Sequence, residues 1–224
     1  MIHDARRDQA TAQALLRARL GYKVYAIDRQ IADGIKSLAD ATPLHLDVTS
    51  SDSMNKFNEE VKDLTLDLYI HATDGSSPAH KDSLEGTDLQ VFRKLFAVNT
   101  YAPMLITQAL VPCLLRSEGA KIVIVTDIMG SIGENDKGGW YAYRSSKAAA
   151  NALGRALAID LNSKRVPVFM VHPGSANIEP KATSANNVTD NSSSAEKLWE
   201  NVIDAKNIAD TGKFFDYEGT ELSW

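Results

Sequence analysis

The sequence predicts an α/β protein in which a doubly wound, mostly parallel sheet carries helices on both faces. Segments rich in β-branched and aromatic residues alternate with helical patterns along the whole chain. Several strand segments, such as residues 121–126, are apolar on both faces, which is typical of parallel strands that are covered on both sides. The length of 224 residues suits one such domain with a sizeable core, so we expect a single domain over residues 1–224.

The strand segments are short and end at turn residues. In chain order they are residues 22–27, 43–46, 66–72, 121–126, 166–171 and 212–217. Valine, isoleucine and aromatic residues recur in them, as expected for strands.

Helical patterns fill the intervals between these strands. They cover residues 8–20, 30–39, 51–64, 89–115, 143–161 and a last segment that starts near Ser193. Gly21 follows the first helix at a position that glycine favours, and the Ser/Asp cluster at residues 50–53 can cap the third. Ser193 and Glu196 have the spacing of a capping box. Residues 175–194 contain a stretch rich in Ser, Thr and Asn, so we expect a mobile surface loop there, next to the substrate.

Charge and cysteine content exclude several classes of function. The net charge of −5 gives no footprint for nucleic acid or an anionic membrane surface. A single cysteine, Cys113, rules out an internal disulfide and a Cys-rich metal site. No apolar run reaches the roughly 18 residues of a membrane span, and the first residues lack the apolar core of a signal peptide. We expect a cytoplasmic protein that binds neither nucleic acid, membrane nor metal.

The helical pattern near residue 143 carries two side chains suited to proton transfer. Tyr143 and Lys147 are four residues apart, so they project from one face of a helix. A phenol has a pKa of about 10 and is a poor acid or base at neutral pH. An ammonium group one turn away favours the phenolate and is expected to lower that pKa. The alternative is a core tyrosine beside a solvated lysine, because this spacing is common by chance.

Polar residues and glycines gather at the ends of several predicted strands. Ligands of doubly wound sheets bind outside the carboxyl ends of the strands. The residues at those ends are Asp28, Asp47, residues 71–74, Asp127, Pro173 and Gly174. We expect these residues to lie along one edge of the sheet.

Several short motifs occur along the chain in a recognisable order. They are Leu46-Asp47-Val48-Thr49, Val98-Asn99-Thr100, Gly130-Ser131-Ile132-Gly133, Gly138-Gly139, Tyr141-Ala142-Tyr143-Arg144 with Ser146-Lys147, His172-Pro173-Gly174 and Gly212-Lys213-Phe214-Phe215-Asp216-Tyr217. Each is weak alone, but together they span nearly the whole chain. In this order the sequence resembles the short-chain dehydrogenase/reductase (SDR) family, most closely its C-factor and sniffer-like carbonyl reductase branch. The resemblance implies a Rossmann-like sheet.

The resemblance also implies roles for residues around a carbonyl or alcohol substrate. Tyr143 would exchange a proton with the substrate oxygen, while Lys147 would lower the pKa of Tyr143 and hold the nicotinamide ribose. Asn99 would anchor a water of the proton relay. Asp127 aligns with the catalytic serine of the family, and Ser131 is the nearest hydroxyl that could replace that serine.

The same resemblance implies where a nicotinamide cofactor would lie. Asp28, after the second strand, would bind the adenosine ribose and favour NAD over NADP, although it could equally be a turn or cap aspartate. Asp47, with Val48 beside it, aligns with the adenine contact. Pro173 and Gly174 align with residues that flank the nicotinamide.

The start of the chain departs from the family pattern. The glycines of the phosphate-binding turn align with Asp4, Asp8 and Ala10, which lack the close backbone approach that glycine gives to a pyrophosphate. Residues 1–3 leave room for only a stub of the first strand. We therefore expect that strand to be short or missing.

The residues that follow two of the strands also depart from the family pattern. Residues 71–74 read His-Ala-Thr-Asp where the family has Asn-Asn-Ala-Gly. An ionised Asp127 can accept a hydrogen bond but cannot donate one, so it would repel a developing alkoxide and raise the pKa of Tyr143.

Three hypotheses follow. The first is an SDR-type oxidoreductase that acts on a small carbonyl or alcohol substrate with NAD or NADP, of which NAD is slightly favoured. The second is a cofactor-free enzyme that uses Asp127 and Tyr143 for acid/base chemistry. The third is a non-catalytic binding or signalling protein without a cofactor. From the family we expect a homodimer or homotetramer formed through the long helices at residues 89–115 and 143–161.

Overall fold

A computed structural model describes residues 2–3, 22–29, 41–174 and 191–224 of the chain. Its strands are β1 (Ile2–His3), β2 (Val24–Asp28), β3 (Ala41–His45), β4 (Leu68–His71), β5 (Lys121–Val125), β6 (Val168–His172) and β7 (Phe214–Asp216). They form one sheet in the order β3-β2-β1-β4-β5-β6-β7, and every neighbouring pair is parallel. This order confirms the predicted doubly wound parallel sheet.

The first strand is a stub at the centre of the sheet. Ile2 of β1 pairs with Ala26 of β2 on one side and with Ile70 of β4 on the other. The prediction of a short first strand is therefore confirmed, and among the described residues it is residues 2–3 that connect the two halves of the sheet through backbone pairing.

The helices of the described ranges are α1 (Ser51–Val61), α2 (Leu89–Phe96), α3 (Ala102–Leu114), α4 (Tyr141–Asn162) and α5 (Asn191–Leu198). Within these ranges, no helix combines the length and the apolar character that crossing a bilayer requires. The helices predicted at residues 8–20 and 30–39 lie outside the described residues, as do Asp4, Asp8 and Ala10. So does most of the predicted loop, residues 175–190, whereas residues 191–194 begin α5.

The single helix predicted over residues 89–115 is divided by a π-helical turn, Ala97–Tyr101. The N–H group of Ala102 bonds the carbonyl of Ala97, five residues back. Pro103, at the start of the next helix, has no N–H group, so the regular α-helical bond to the carbonyl of Asn99 cannot form. Asn99 and Thr100 are buried in this turn.

Alternate strand residues face two hydrophobic clusters, one on each side of the sheet. Ile122 and Ile124 lie in the larger cluster, together with side chains of α1, α3 and α4. Val123 and Val125 lie in the second, together with Leu198 at the end of α5 and residues that follow it. The prediction of helices on both faces is confirmed.

Parallel pairing brings the carboxyl ends of the strands to one edge. Asp28 of β2 pairs with His45 of β3, and Val125 of β5 pairs with Val171 of β6. Asp127 and Pro173 each follow this last pair by two residues. The predicted site residues of these strands therefore lie along the same edge.

Candidate active site

The predicted proton-transfer pair lies in the first two turns of α4. Tyr143 and Lys147 are both buried, and the Nζ atom of Lys147 is 5.7 Å from the centre of the Tyr143 ring. The ring of Trp140 meets the Tyr143 ring edge-on, with their centres 6.3 Å apart. The alternative of a solvated lysine is wrong, because only 2% of the Lys147 side chain is exposed.

The start of α4 is capped by a residue far away in the chain. Trp140 stands at the N-cap in the left-handed conformation, with φ 53°, and its side chain makes no capping bond. The buried carboxylate of Asp82 accepts instead from the N–H groups of Ala142 at 2.8 Å and Tyr143 at 3.0 Å. Asp82 was not predicted, since nothing in the local sequence links it to a helix 60 residues later.

Asp74 was also missing from the predicted site residues. Its Oδ1 atom accepts from the Tyr143 hydroxyl at 3.0 Å and lies 3.1 Å from the Nζ atom of Lys147. One carboxylate oxygen thus bridges the two side chains. The signal in the sequence was the aspartate at a strand end where the family has glycine.

Asp127 lies on the other side of the same phenol. Its Oδ2 atom accepts from the Tyr143 hydroxyl at 3.3 Å, while its Oδ1 atom accepts from the N–H group of Met129 at 2.8 Å. A Cβ atom at Gly130 would lie 2.9 Å from the backbone of Lys147, so glycine lets this turn approach α4 closely. Asp127 is therefore held against Tyr143 as a hydrogen-bond acceptor.

These contacts raise the pKa of Tyr143 well above its usual range. Burial is the main cause, followed by the negative charges of Asp74 and Asp127 and the hydrogen bonds that they accept. The expectation that Lys147 lowers this pKa is wrong for the net effect, because the ammonium group is paired with Asp74. The predicted upward effect of Asp127 is present.

Asn99 fixes the loop that carries Asp74. Its Oδ1 atom accepts from the N–H group of Gly75 at 2.7 Å, and its Nδ2 atom donates to the carbonyl of Gly75 at 2.9 Å. The same Nδ2 atom donates to the Ser146 hydroxyl on α4 at 2.9 Å. Asn99 therefore joins the π-helical turn, the loop after β4 and α4.

His172 is a further site residue that was not predicted. Its Nδ1 atom accepts from the N–H group of Ile128 at 3.3 Å, which places the ring proton on Nε2. Burial lowers the pKa of His172, and the charges of Asp127 and Asp216 oppose this effect only in part. A neutral imidazole therefore supports the turn that follows Asp127.

Ser131 is buried and belongs to a loop turn. Its hydroxyl accepts from the N–H group of Glu134 at 3.2 Å. This role is structural, and Asp127 rather than Ser131 is the residue that contacts Tyr143.

A cleft of about 200 Å³ opens beside β2 and β3. It brings together the predicted residues Asp28, Asp47 and Val48, and adds the cations Arg29 and Lys94. Hydrogen bonds from the Thr49 side chain and N–H group lower the pKa of Asp47, which is therefore ionised at neutral pH.

Pro173 and Gly174 follow β6 at the same edge. Gly174 has φ 91°, and a Cβ atom there would lie 3.0 Å from the Tyr217 ring. Glycine is therefore required for both the backbone conformation and the space.

A second cavity, of about 540 Å³, lies beside the start of α4. Met129, Trp140 and Arg144 are among its lining residues. Because Trp140 also contacts Tyr143, this cavity is next to the proton-transfer pair. Within the described ranges, no group of three or more His, Cys, Asp or Glu side chains is arranged to hold a metal ion.

Comparison with known proteins identifies the family. The family model described as enoyl-(acyl carrier protein) reductase matches residues 9–216. The chain belongs to the SDR family. It is 32% identical over 183 residues to 1-hydroxy-2-glutathionyl-2-methyl-3-butene dehydrogenase of Rhodococcus sp. (strain AD45). This alignment covers 80% of this chain and 78% of that protein. It is 33% identical over 142 residues to C-signal of Myxococcus xanthus, covering 63% of this chain and 84% of that protein.

Solved structures of SDR proteins share the fold of this chain. The carbonyl reductase Sniffer of D. melanogaster superposes with a TM-score of 0.86 at 23% identity, covering 100% of this chain and 98% of that one. An NADPH-bound carbonyl reductase from chicken fatty liver gives a TM-score of 0.80 at 21% identity, with coverages of 100% and 98%. The predicted resemblance is confirmed, and family membership supports the SDR-type oxidoreductase over the two alternatives.

Proposed function

We propose that this SDR protein reduces small aldehydes or ketones to alcohols with a nicotinamide cofactor. The observation that carries this proposal is the environment of Tyr143. Its hydroxyl oxygen lies 3.0 Å from Asp74 and 3.3 Å from Asp127, so that its one proton is donated to either carboxylate, and burial and both carboxylates raise its pKa. The phenol therefore keeps its proton at neutral pH and can give it only to a strongly basic oxygen, such as the one that develops when a carbonyl accepts hydride.

The chain's own residues suit this proton transfer. Tyr143 gives its proton to the substrate oxygen, and the ammonium group of Lys147 stabilises the phenolate that is left. Asp127 can only accept hydrogen bonds, so it disfavours negative charge on the substrate oxygen. The proton must therefore be transferred while that charge develops, rather than after it.

The described strand ends suit the adenosine part of a dinucleotide. Asp28 and Asp47 offer carboxylates to ribose hydroxyls or the adenine amino group, and Val48 and Val98 offer apolar surface to a base. Pro173 and Gly174 follow β6 at the same edge, where the nicotinamide would lie. When bound, the nicotinamide supplies the hydride.

We propose NAD as the preferred cofactor. Asp28 is buried at the end of β2, where a carboxylate accepts from both ribose hydroxyls and repels a 2′-phosphate. The exposed cations Arg29 and Lys94 line the same cleft and weaken this preference, since they can attract a phosphate.

Calorimetric titration of NAD, NADH, NADP and NADPH into the pure protein tests the cofactor. We expect micromolar binding, strongest for the NAD pair, and oxidation of the reduced cofactor by small carbonyl compounds. Tyr143→Phe should bind the cofactor with unchanged affinity and lose turnover by about 100-fold or more. Absence of binding at millimolar concentrations would contradict the proposal.

One observation favours a second candidate, the cofactor-free acid/base enzyme. Asp74 engages Lys147, and two carboxylates surround one phenol, so the cleft holds acid/base groups in different environments. This candidate would replace the first if no nicotinamide bound and if Asp127→Asn and Tyr143→Phe each abolished turnover of a non-redox substrate. Full activity of both variants would exclude it.

We further propose a single domain in the cytoplasm that assembles as a homodimer or homotetramer through α2, α3 and α4. Exposed apolar side chains on these elements support this assembly, among them Leu89 and Ile159. Ile159→Glu should shift the sedimentation coefficient towards the monomer, with Asp63→Asn as a surface control. A wild-type protein that sediments as a monomer would contradict this proposal.

A further inference from the structure

The proton-transfer pair has little direct access to water. Only 1% of Tyr143 and 2% of the Lys147 side chain are exposed. The Asp74 side chain, in contact with both, is 42% exposed. Of these three residues, Asp74 is the one that reaches solvent.

The contact geometry suits transfer of a proton rather than simple charge pairing. The Oδ1 atom of Asp74 is 3.0 Å from the Tyr143 oxygen, within the range of a direct hydrogen bond. The same atom is 3.1 Å from the Nζ atom of Lys147, which stabilises the charge on the carboxylate and on a transient phenolate.

The loop that carries Asp74 is held in place. Both backbone polar groups of Gly75 are bonded by the Asn99 side chain, at 2.7 and 2.9 Å. A Cβ atom at residue 75 would lie 3.1 Å from Val98 and 3.2 Å from Asn99, so the loop also lies tightly against the π-helical turn. Asp74 is thereby kept in position beside Tyr143.

Asp127, the other neighbour of the phenol, is less suited to the same task. It is 8% exposed, and its second oxygen accepts from the N–H group of Met129. Asp127 therefore orients the Tyr143 hydroxyl, whereas Asp74 connects it to water.

We propose that Asp74, rather than Lys147, carries protons between water and Tyr143, so that the Tyr143 phenol is restored after each turnover. This inference rests on the proposed function in so far as Tyr143 acts as the acid. After Tyr143 has given its proton to the substrate oxygen, water protonates Asp74, and Asp74 passes that proton to the Tyr143 oxygen. One proton is taken from solvent for each proton delivered to the product.

Exchange of the Tyr143 hydroxyl proton tests this inference without turnover. The resonance of this buried, hydrogen-bonded proton is assigned by its loss in Tyr143→Phe, and its exchange with water is measured by saturation transfer. Asp74→Asn keeps a hydrogen-bond acceptor of the same shape but cannot carry a proton, so we expect exchange to slow by about tenfold or more. Asp63→Asn, on the exposed surface, is the matched control. Unchanged exchange in folded Asp74→Asn would overturn the inference.

Chemical rescue adds a measurement in the working enzyme. Asp74→Ala should lower kcat for carbonyl reduction by about 100-fold with KM little changed, and millimolar formate should restore part of kcat. A purely structural role would give no rescue by formate and would therefore reject the inference. If the protein reduces no carbonyl compound, the exchange measurement still decides the role of Asp74, so failure of the proposed function is distinguishable from failure of this inference.

Discussion

At the scale of single residues, the carboxylates of Asp74 and Asp127 change the acid/base behaviour expected of Tyr143 and Lys147. The tyrosine and lysine spacing alone predicts a lowered phenol pKa. At Tyr143 burial, followed by the charges of Asp74 and Asp127, raises the pKa instead, and Asp74 also pairs with Lys147. The spacing of Tyr143 and Lys147 was visible in the sequence, but which charges surround them depends on loops that only the fold brings together.

The pH dependence of the two reaction directions follows from this environment. Reduction needs the phenol and should be nearly constant through neutral pH, while alcohol oxidation needs the phenolate and should rise with pH. Asp74 and Asp127 face the Tyr143 hydroxyl, Lys147 lies 5.7 Å from its ring centre, and Asp82 accepts from its N–H group. Asp127→Ser removes one negative charge, so it should lower the Tyr143 pKa and move the rise in oxidation about 1 pH unit or more lower.

Rate–pH profiles of both directions measure this shift. Asp127→Asn is the control that removes the charge without supplying the serine hydroxyl. Asp127→Asn should move the rise in oxidation to lower pH as Asp127→Ser does. Any gain in rate that comes from the serine hydroxyl should be absent in Asp127→Asn. An identical profile in wild type and Asp127→Ser would contradict the proposed effect of the charge.

Cofactor preference is also decided by single residues. Asp28→Ser removes the carboxylate that repels a 2′-phosphate, so it should improve the Kd of NADP relative to NAD by about tenfold or more. Arg29→Ala should change the ratio in the opposite direction, because it removes a cation from the same cleft. Calorimetry with both cofactors measures these ratios, and an unchanged ratio in Asp28→Ser would refute the assigned role.

At the scale of elements, α4 depends on a cap that comes from elsewhere in the chain. Asp82 bonds two N–H groups of α4 from a buried position, and Asp88 bonds two N–H groups of its own helix α2 from an exposed one. Asp82→Ala should lower the free energy of unfolding by about 2–3 kcal/mol, since it leaves buried N–H groups unpaired. Asp88→Ala should cost about 1 kcal/mol. Urea unfolding measures both, and equal losses would contradict this account.

Gly75, in the loop after β4, and Gly119, just before β5, form a matched pair of glycines. Gly75→Ala should lower the free energy of unfolding by about 1–2 kcal/mol, because the new methyl group would press on Val98 and Asn99. Gly119→Ala should be neutral or slightly stabilising, since nothing lies within 4 Å of a Cβ atom there. Urea unfolding compares the two. If Gly75→Ala proved as stable as wild type, the loop would be less tightly held than described.

The elements themselves could largely be predicted from the sequence. The apolar runs at β5 and β6 and the long pattern of α4 identify their elements because burial on the sheet requires apolar residues at those positions. The division of the helix at residues 97–101 was missed, although Pro103 was a local signal for it. The Asp82 cap was missed because capping by a distant residue leaves no local pattern.

At the scale of the whole molecule, the alternation of strands and helices predicts the parallel sheet and therefore the edge at which ligands bind. Asp28 and Asp47 were expected at this edge on that basis, and both line one cleft, together with Val48, which the family resemblance had added. The same rule placed Asp74, within residues 71–74, at this edge without a role, and it could also have nominated His172, the last residue of β6. Their contacts with Tyr143 and with the turn after Asp127 could not be predicted, because they depend on the exact approach of separate loops.

The two-residue strand β1 has a consequence for how the molecule opens. β2 and β3 pair along five residues, but β1 links them to β4 through two residue pairs on each side. Amide protons of β2 and β3 should therefore exchange with deuterium through a partial opening that leaves β4, β5 and β6 protected. Asp28 and Asp47 line the cleft and belong to this less protected part of the sheet. A ligand that occupies the cleft should therefore slow the exchange of the β2 and β3 amide protons by mass action. Binding of the adenosine would in this way stabilise the attachment of β2 and β3 to the rest of the sheet.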